Sequence, residues 1–360
     1  MSGFGIDARA AAEEPAGRGR VVRELLRALA QRDDDHVYDL YARTPWDEPF
    51  DERFRWRLIS APDPVWHLRA AHASRATTDA FLSTNSYLTA WFSKVPCVVV
   101  VYDLVAFQPG IAARHSAHVI ERVTIRRGMR RAASIACISE ATRRDLVSRF
   151  PWAAPKARVV LLAADDRFSR PLATSELEDV RRRYRLDTEF LLCAGTLEPR
   201  KNLDRVLEAH AGLSRRVQLA LVGPRGWEFG PILEEADRRD DVRVLGQVSD
   251  EDLAALYQAC TVFCYPSLYE GFGLPLLEAM AGGAACLTSS VSSLPEVGGN
   301  AVVYVDPTDV AQIRAAIDSL LTSRQERAML GERAKRRAAQ FSWDRTAAGM
   351  LEALSDSVGR

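Results

Sequence analysis

Short apolar runs alternate with amphipathic stretches along most of this sequence, and that alternation leaves few folds open. Runs near residues 3–7, 37–42, 80–84, 98–102, 135–138 and 158–162 read as strands with helical stretches between them. A second series follows near 190–194, 218–222, 242–245, 262–265, 285–288 and 302–305. Strands that are apolar throughout must be covered on both faces, which helices returning between parallel strands achieve. The expected class is α/β, with two Rossmann-like domains. Residues 165–174, broken by Pro171, read as their connection. The expected domains are therefore 1–165 and 166–342, the second ending in a long helical run over 307–340. A chain of 360 residues suits two domains of roughly 150 residues each. Open parallel sheets bind ligands outside the carboxyl ends of their strands, so two facing halves would place a substrate in the cleft between them.

Charge removes several partners. Basic and acidic residues both number 48, so no net charge draws the chain to nucleic acid, and any contact with an anionic surface must come from a local patch. No uncharged stretch reaches the length of a membrane helix, and the opening MSGFGIDARA has no basic segment leading into an apolar one. A cytoplasmic protein is expected. Cys97, Cys137, Cys193, Cys260, Cys264 and Cys286 lie in apolar segments without a CxxC pair, the pattern of buried thiols in a reducing compartment. Only four of the 48 basic residues are lysine, namely Lys94, Lys156, Lys201 and Lys335. A lysine kept against that bias suggests a site wanting a compact point charge.

Three segments follow strands and carry chemistry. YPSLYEGFGLPLLEAMAGG, at 265–283, leaves a strand, crosses a Gly-flanked loop and enters a helix with Pro275 in its first turn. The N–H groups of Gly271, Phe272, Gly273 and Leu274 would then head a helix, where unpaired donors and the dipole favour an anion. Glu270 precedes the loop and Glu278 is expected in the first turn, two carboxylates at different depths of one pocket. The plainer alternative is a helix-dipole carboxylate beside a turn. LLCAGTLEPRKNLDRVLEAH, at 191–210, places Arg200 and Lys201 directly before a helix that Asn202 is expected to cap. The pair forms a pyrophosphate-sized anion site, or else exposed loop cations. EEPAGRGRVVRELLRAL, at 13–29, would let backbone approach a ligand at Gly17 and Gly19, though GRG is not a dinucleotide fingerprint and a plain turn also fits.

With these in place, the chain resembles the retaining glycosyltransferases of family 4, which have the GT-B fold, and specifically their mannosyltransferase-like branch. The matching pieces run in order from GIDAR and GRGR through VVVVYDLVAFQPG, ACISEATRRDL, GTLEPRKN, LVGPRGW, VRVLGQVSDEDLAALYQAC, the 265–283 block, SSLPEVGGNA and VDP to FSWDRTA. The resemblance implies a GT-B architecture of two Rossmann-like domains facing across a cleft, with a final helix from about Trp343 crossing back onto the first. It implies a nucleotide-sugar donor, no cofactor and no metal.

Residue by residue, the resemblance implies that Glu270 holds donor-sugar hydroxyls, Glu278 the ribose and Lys201 the pyrophosphate. Backbone from Gly271 to Leu274 would lie against sugar and phosphate, Gly17 and Gly19 against the phosphates, and Val248 near the base. Gly195 and Thr196 end the strand before the cation pair. Thr196 stands where much of the family has arginine, leaving Arg200 as the second phosphate cation. Tyr102 stands where the family usually has histidine, before Asp103 in the active site; a phenol donates a hydrogen bond but offers no charge near neutral pH.

The implied reaction moves a hexose, mannose first, to a saccharide, lipid-linked saccharide or natural-product acceptor with retention. Glucose or deoxysugar donors on UDP or dTDP, and a binding scaffold without turnover, stay open. Other features have plain readings: Asp33, Asp34 and Asp35 as a turn rather than a metal signature, His115 and His118 as no zinc site, and Ser139 as a helix cap. Arg114, Arg122, Arg126, Arg127, Arg130 and Arg131 crowd 111–135 against Glu121 alone. They form either a patch for an anionic acceptor at a membrane surface or a solvated helix face.

Overall fold

The computed structural model describes residues 2–14, 17–108, 116–186 and 189–358, with the side chains of 116–121 and 123 outside that description. Two compact units emerge: Met1–Leu162 joined by Ser342–Arg360, and Ala163–Phe341. In the first, β1 (Gly3–Asp7), β2 (Val37–Ala42), β3 (Phe54–Leu58), β4 (Ala80–Ser83), β5 (Cys97–Val101), β6 (Ser134–Cys137) and β7 (Ala157–Val159) form one sheet in the order β3-β2-β1-β4-β5-β6-β7. In the second, β8 (Phe190–Ala194), β9 (Gln218–Val222), β10 (Val242–Gly246), β11 (Val262–Tyr265), β12 (Cys286–Ser289) and β13 (Val303–Val305) follow the order β10-β9-β8-β11-β12-β13. Neighbours in both sheets run parallel. Each is the doubly wound order, reversing direction once, between β1 and β4 and between β8 and β11.

The inner strands β4 (AFLS), β5 (CVVVV), β8 (FLLCA) and β11 (VFCY) are buried along their whole length. Beneath the second reversal, Leu191, Leu219, Val262 and Leu287 are almost fully covered; each such side chain contributes about 1.5–3 kcal/mol on burial. β3 is a strand that the apolar-run pattern does not reveal. In its FRWRL only Phe54 is buried, while Arg55 and Leu58 face water, because it pairs with β2 alone at the sheet edge. The run expected as one helix over 307–340 is two, Val310–Thr322 and Arg324–Ala338, with Ser323 between them accepting from Glu326 N at 3.1 Å.

The Trp343–Val358 helix belongs to the first unit. It packs on β4, β5, β6 and the Arg18–Ala30 helix, Thr346 Oγ1 donates to Leu161 O at 2.7 Å, and Arg158 pairs with Asp356 at 2.9 Å. No helix among the described residues is long and apolar enough to cross a membrane.

Candidate active site

At the second sheet's reversal, the two loops that leave β8 and β11 are built to meet. Gly195 ends β8 with φ 127°, a conformation L side chains avoid. The chain then turns through Pro199–Lys201, and Asn202 follows at φ 61°. The expected capping role for Asn202 is corrected here. It precedes the Leu203–Ala211 helix, but its side chain makes no cap bond. Instead Nδ2 donates to Pro266 O at 3.0 Å and to Pro307 O at 2.7 Å, stitching the β8 loop to the loop after β11 and to the segment after β13. Leu268 N adds a bond to Arg200 O at 2.9 Å. From the other side, Ser292 Oγ accepts from Glu270 N at 2.9 Å, and Ser293 Oγ shares its proton between Glu270 O and Phe272 O, each at 2.9 Å.

These bonds converge four charges. Lys201 Nζ donates to Glu270 Oε1 and to the Tyr265 hydroxyl, both at 2.6 Å, while Tyr265 donates to the same Oε1 at 2.8 Å. Arg200 Nη1 takes the other oxygen, Oε2, at 2.6 Å and also reaches Tyr269 O at 2.9 Å. Its Nε and Nη2 bind Glu198 Oε1 at 3.0 and 2.6 Å. Two cations and two carboxylates thus balance in a space where Lys201 and Glu270 are 8% and 6% exposed, which is what keeps such a buried group tolerable. Burial by itself raises a carboxyl pKa, yet Arg200 and Lys201 outweigh it and hold Glu270 down at about 2. Burial and Arg200 pull Lys201 below the ordinary lysine value, with Glu270 resisting. Burial and Glu270 push the Tyr265 phenol far up, so it remains a proton donor.

The sequence relatives of this arrangement are specific. A family profile described as glycosyl transferases group 1 matches residues 176–337, which contain the whole cluster. Residues 176–337 are a glycosyl transferases group 1 domain. The O-antigen chain mannosyltransferase B of Escherichia coli is 38% identical over 221 residues, covering 59% of this chain and 58% of that protein. A serotype-specific mannosyltransferase, WbdA, from the same organism is 34% identical over 229 residues, covering 60% of this chain but 28% of the relative. The aligned region is thus about half or less of each relative's length. Sucrose-phosphate synthase from Thermosynechococcus elongatus superposes with a TM-score of 0.80 over 99% of both chains at 20% identity. That likeness shows the fold, two Rossmann-like units of the GT-B type.

Within the group 1 domain, other expected residues distribute unevenly. Gly273 caps the Leu274–Ala281 helix at φ 102°, and an added Cβ there would meet Leu294 at 2.8 Å. Gly271 and Phe272 are buried, the Phe272 ring against Phe341 with centroids 6.0 Å apart. Pro275, in the helix's first turn, lies 3.9 Å from a Cβ built on Gly195, beside Lys201; the helix head therefore adjoins the cation. Glu278 is not in the first turn as expected but one turn deeper, 2% exposed, accepting from Tyr257 at 3.1 Å. Thr196 is exposed on the β8 loop, and Val248 stands half-buried beyond the end of β10, two strands from β8. Tyr265, Glu198, Ser292 and Ser293 were not singled out by the sequence. Tyr265 reads as a strand's last apolar residue, and only its place opposite Lys201 gives the hydroxyl a role.

In the first unit, Gly17 precedes the Arg18–Ala30 helix at φ 58° with open space around it. Gly19 is required by packing instead, since a Cβ would fall 1.7 Å from Glu14 O. Asp103 Oδ1 accepts from Val105 N at 2.9 Å, closing a short turn. Tyr102's phenol is raised by burial, and its hydroxyl meets no hydrogen-bond partner among the described residues. At this unit's own reversal, Arg9 binds Asp7 through Nε at 2.9 Å and Nη2 at 2.7 Å, and Asp63 at 2.9 Å, lying 3.7 Å over the Trp66 ring. His67 touches Arg9 at 3.5 Å and Thr89 at 2.7 Å, and burial, then Arg9, drops its pKa to about 4. This cluster was not singled out beyond the GIDAR match.

The plain readings have plain structures. Asp34 accepts from Tyr38 at 3.0 Å and pairs with Arg53 at 3.2 Å. Ser139 accepts from Thr142 N at 2.9 Å. The six cysteines are free thiols, five of them buried. Among the described residues no three His, Cys, Asp or Glu side chains gather to hold a metal ion. Arg114, His115 and the side chains of His118 and Glu121 lie outside the described residues.

Proposed function

We propose that the protein is a retaining glycosyltransferase that moves mannose from a nucleoside-diphosphate donor to a saccharide or lipid-linked saccharide acceptor. The observation that carries this reading is the meeting of Lys201, Arg200 and Glu270 at the reversal between β8 and β11, beside the head of the Leu274–Ala281 helix. Doubly wound sheets take their ligands at that place. The mannosyltransferase relatives support the choice of sugar.

In this reading the donor's diphosphate lies against Lys201, Arg200 and the helix-head amides. Breaking the anomeric carbon to phosphate-oxygen bond leaves negative charge on the diphosphate, which these fixed donors stabilise, and no metal is needed for that step. Glu270, ionised and held by two cations, orients the sugar hydroxyls. The acceptor oxygen attacks the face the diphosphate leaves, its proton passing to the departing phosphate oxygen, so configuration is retained without a protein nucleophile. Glu278 takes the ribose.

The test is product formation from GDP-mannose, with UDP-glucose and dTDP-deoxysugars in parallel, and the anomeric configuration read by NMR. Mannose transfer with retention is expected, and Lys201→Ala should lower kcat by about a hundredfold, roughly 3 kcal/mol. Turnover only with another donor overturns the mannose assignment; donor binding without turnover overturns the enzyme.

A further inference from the structure

Two non-glycine residues with positive φ border the Lys201–Glu270 cluster, one on each side. Among the described residues four such positions occur, Arg185, Asn202, Glu228 and Ser292. Asn202 directly follows Lys201, and asparagine tolerates the left-handed region. Serine adopts it far less readily, yet Ser292, in the loop after β12, sits at φ 51°. What this strained backbone delivers is a hydroxyl: Ser292 Oγ accepts from Glu270 N at 2.9 Å, across 22 residues of sequence. Ser293 forgoes something as well. It stands at the N-cap of the Leu294–Gly298 helix, where a serine ordinarily accepts from the helix's own amides, but its side chain makes no cap bond. Its hydroxyl goes to Glu270 O and Phe272 O instead. Both the N–H and the C=O of Glu270 are therefore held by side chains from another loop.

A strained residue and a forgone cap are local costs, which persist only where the surroundings impose them and which gather at sites of function. Here they fix the one main-chain position from which a carboxylate meets Lys201 and Arg200 at 2.6 Å each. Residues 266–273 lie outside helix and strand, so no regular secondary structure sets the position of Glu270 in their place. We propose that Ser292 is a positioning residue, whose hydroxyl anchors the Glu270 peptide and so aims its carboxylate at the two cations. The bearing of Ser292 on sugar transfer rests on the proposed function; its bearing on the geometry of Glu270 does not.

Substitutions that separate the hydroxyl from the strain test this in the full chain. Ser292→Gly and Ser292→Ala both remove the hydroxyl, but only glycine accepts φ 51° without cost. Ser292→Thr keeps a hydroxyl and adds a β-branch to the strained backbone. Turnover should follow the hydroxyl: kcat about tenfold lower in Ser292→Gly and Ser292→Ala alike, the worth of one hydrogen bond, and within about twofold of the wild type in Ser292→Thr. Urea midpoints should follow the strain, Ser292→Gly above Ser292→Ala and the wild type above Ser292→Thr. A merely structural serine would make kcat rank with the urea midpoint, and that ranking overturns the proposal. Crystal structures of the wild type and Ser292→Gly supply a readout without donor: in the variant the Glu270 carboxylate should leave Lys201 by more than hydrogen-bond distance, about 3.5 Å. A Glu270 that keeps both bonds in Ser292→Gly overturns the proposal. A wild type without turnover overturns the transfer reading instead, and the two crystal structures then decide the positioning by themselves.

Discussion

The two units place charged clusters at the same topological spot, and the clusters are built to opposite ends. At the β1/β4 reversal, Arg9 spends its guanidinium on Asp7 and Asp63 and lies flat on Trp66. An arginine fixed by two carboxylates and an aromatic plate is a clamp. At the β8/β11 reversal, Lys201 is a point charge with two of its three protons engaged, set beside a helix head on a loop that glycine geometry frees. A network of buried charges therefore does not by itself mark a site; what sets the second cluster apart is an adjoining helix head and a lysine with a proton to spare.

The comparison can be broken most forcefully at Arg9. Arg9→Ala leaves Asp7 buried without its partner and should cost about 3–5 kcal/mol of stability, read as a fall in urea midpoint, while donor turnover by the folded fraction changes little. Selective loss of turnover at unchanged stability would make the first cluster a catalytic one. His67 comes next. Its folded pKa of about 4 lies below the ordinary 6.5, so between those values the unfolded chain binds more protons and stability rises with pH. Arg9, Asp7, Asp63 and Thr89 surround it. Acidification from pH 6.5 to 4 should remove up to about 3 kcal/mol, and His67→Gln should flatten that part of the stability profile. The second cluster has its acid limit far lower: Glu270 contributes above its unfolded value and loses that contribution only as pH falls towards about 2. Smallest is Tyr265→Phe, which removes one bridging hydroxyl for about 1 kcal/mol. It should lower kcat severalfold with KM nearly fixed; an unchanged kcat would reduce Tyr265 to packing.

The sequence made the doubly wound class legible because its central strands are buried on both faces and so read as apolar runs. β3 escaped because an edge strand is buried on one side only, leaving Arg55 of FRWRL in water and interrupting the apolar run with charge. The break at Ser323 escaped because a serine between two helical stretches changes hydropathy little, although it caps the second. Lys201, Arg200 and Glu270 were legible as residues that follow strands. Their mutual distances were not, because Glu270 reaches Lys201 across 69 residues through a fold-made contact. Asn202 misled because the residue type that favours capping also tolerates positive φ, and here that second property is used.

The central claim is that Lys201 faces the diphosphate end of a donor. Calorimetric titration of GDP and UDP into the wild type, Lys201→Ala and Arg9→Ala tests it most directly. The account predicts binding by the wild type and by folded Arg9→Ala alike, and at least about tenfold weaker binding by Lys201→Ala, the loss of one charge-assisted contact. Equal affinity in wild type and Lys201→Ala would contradict it.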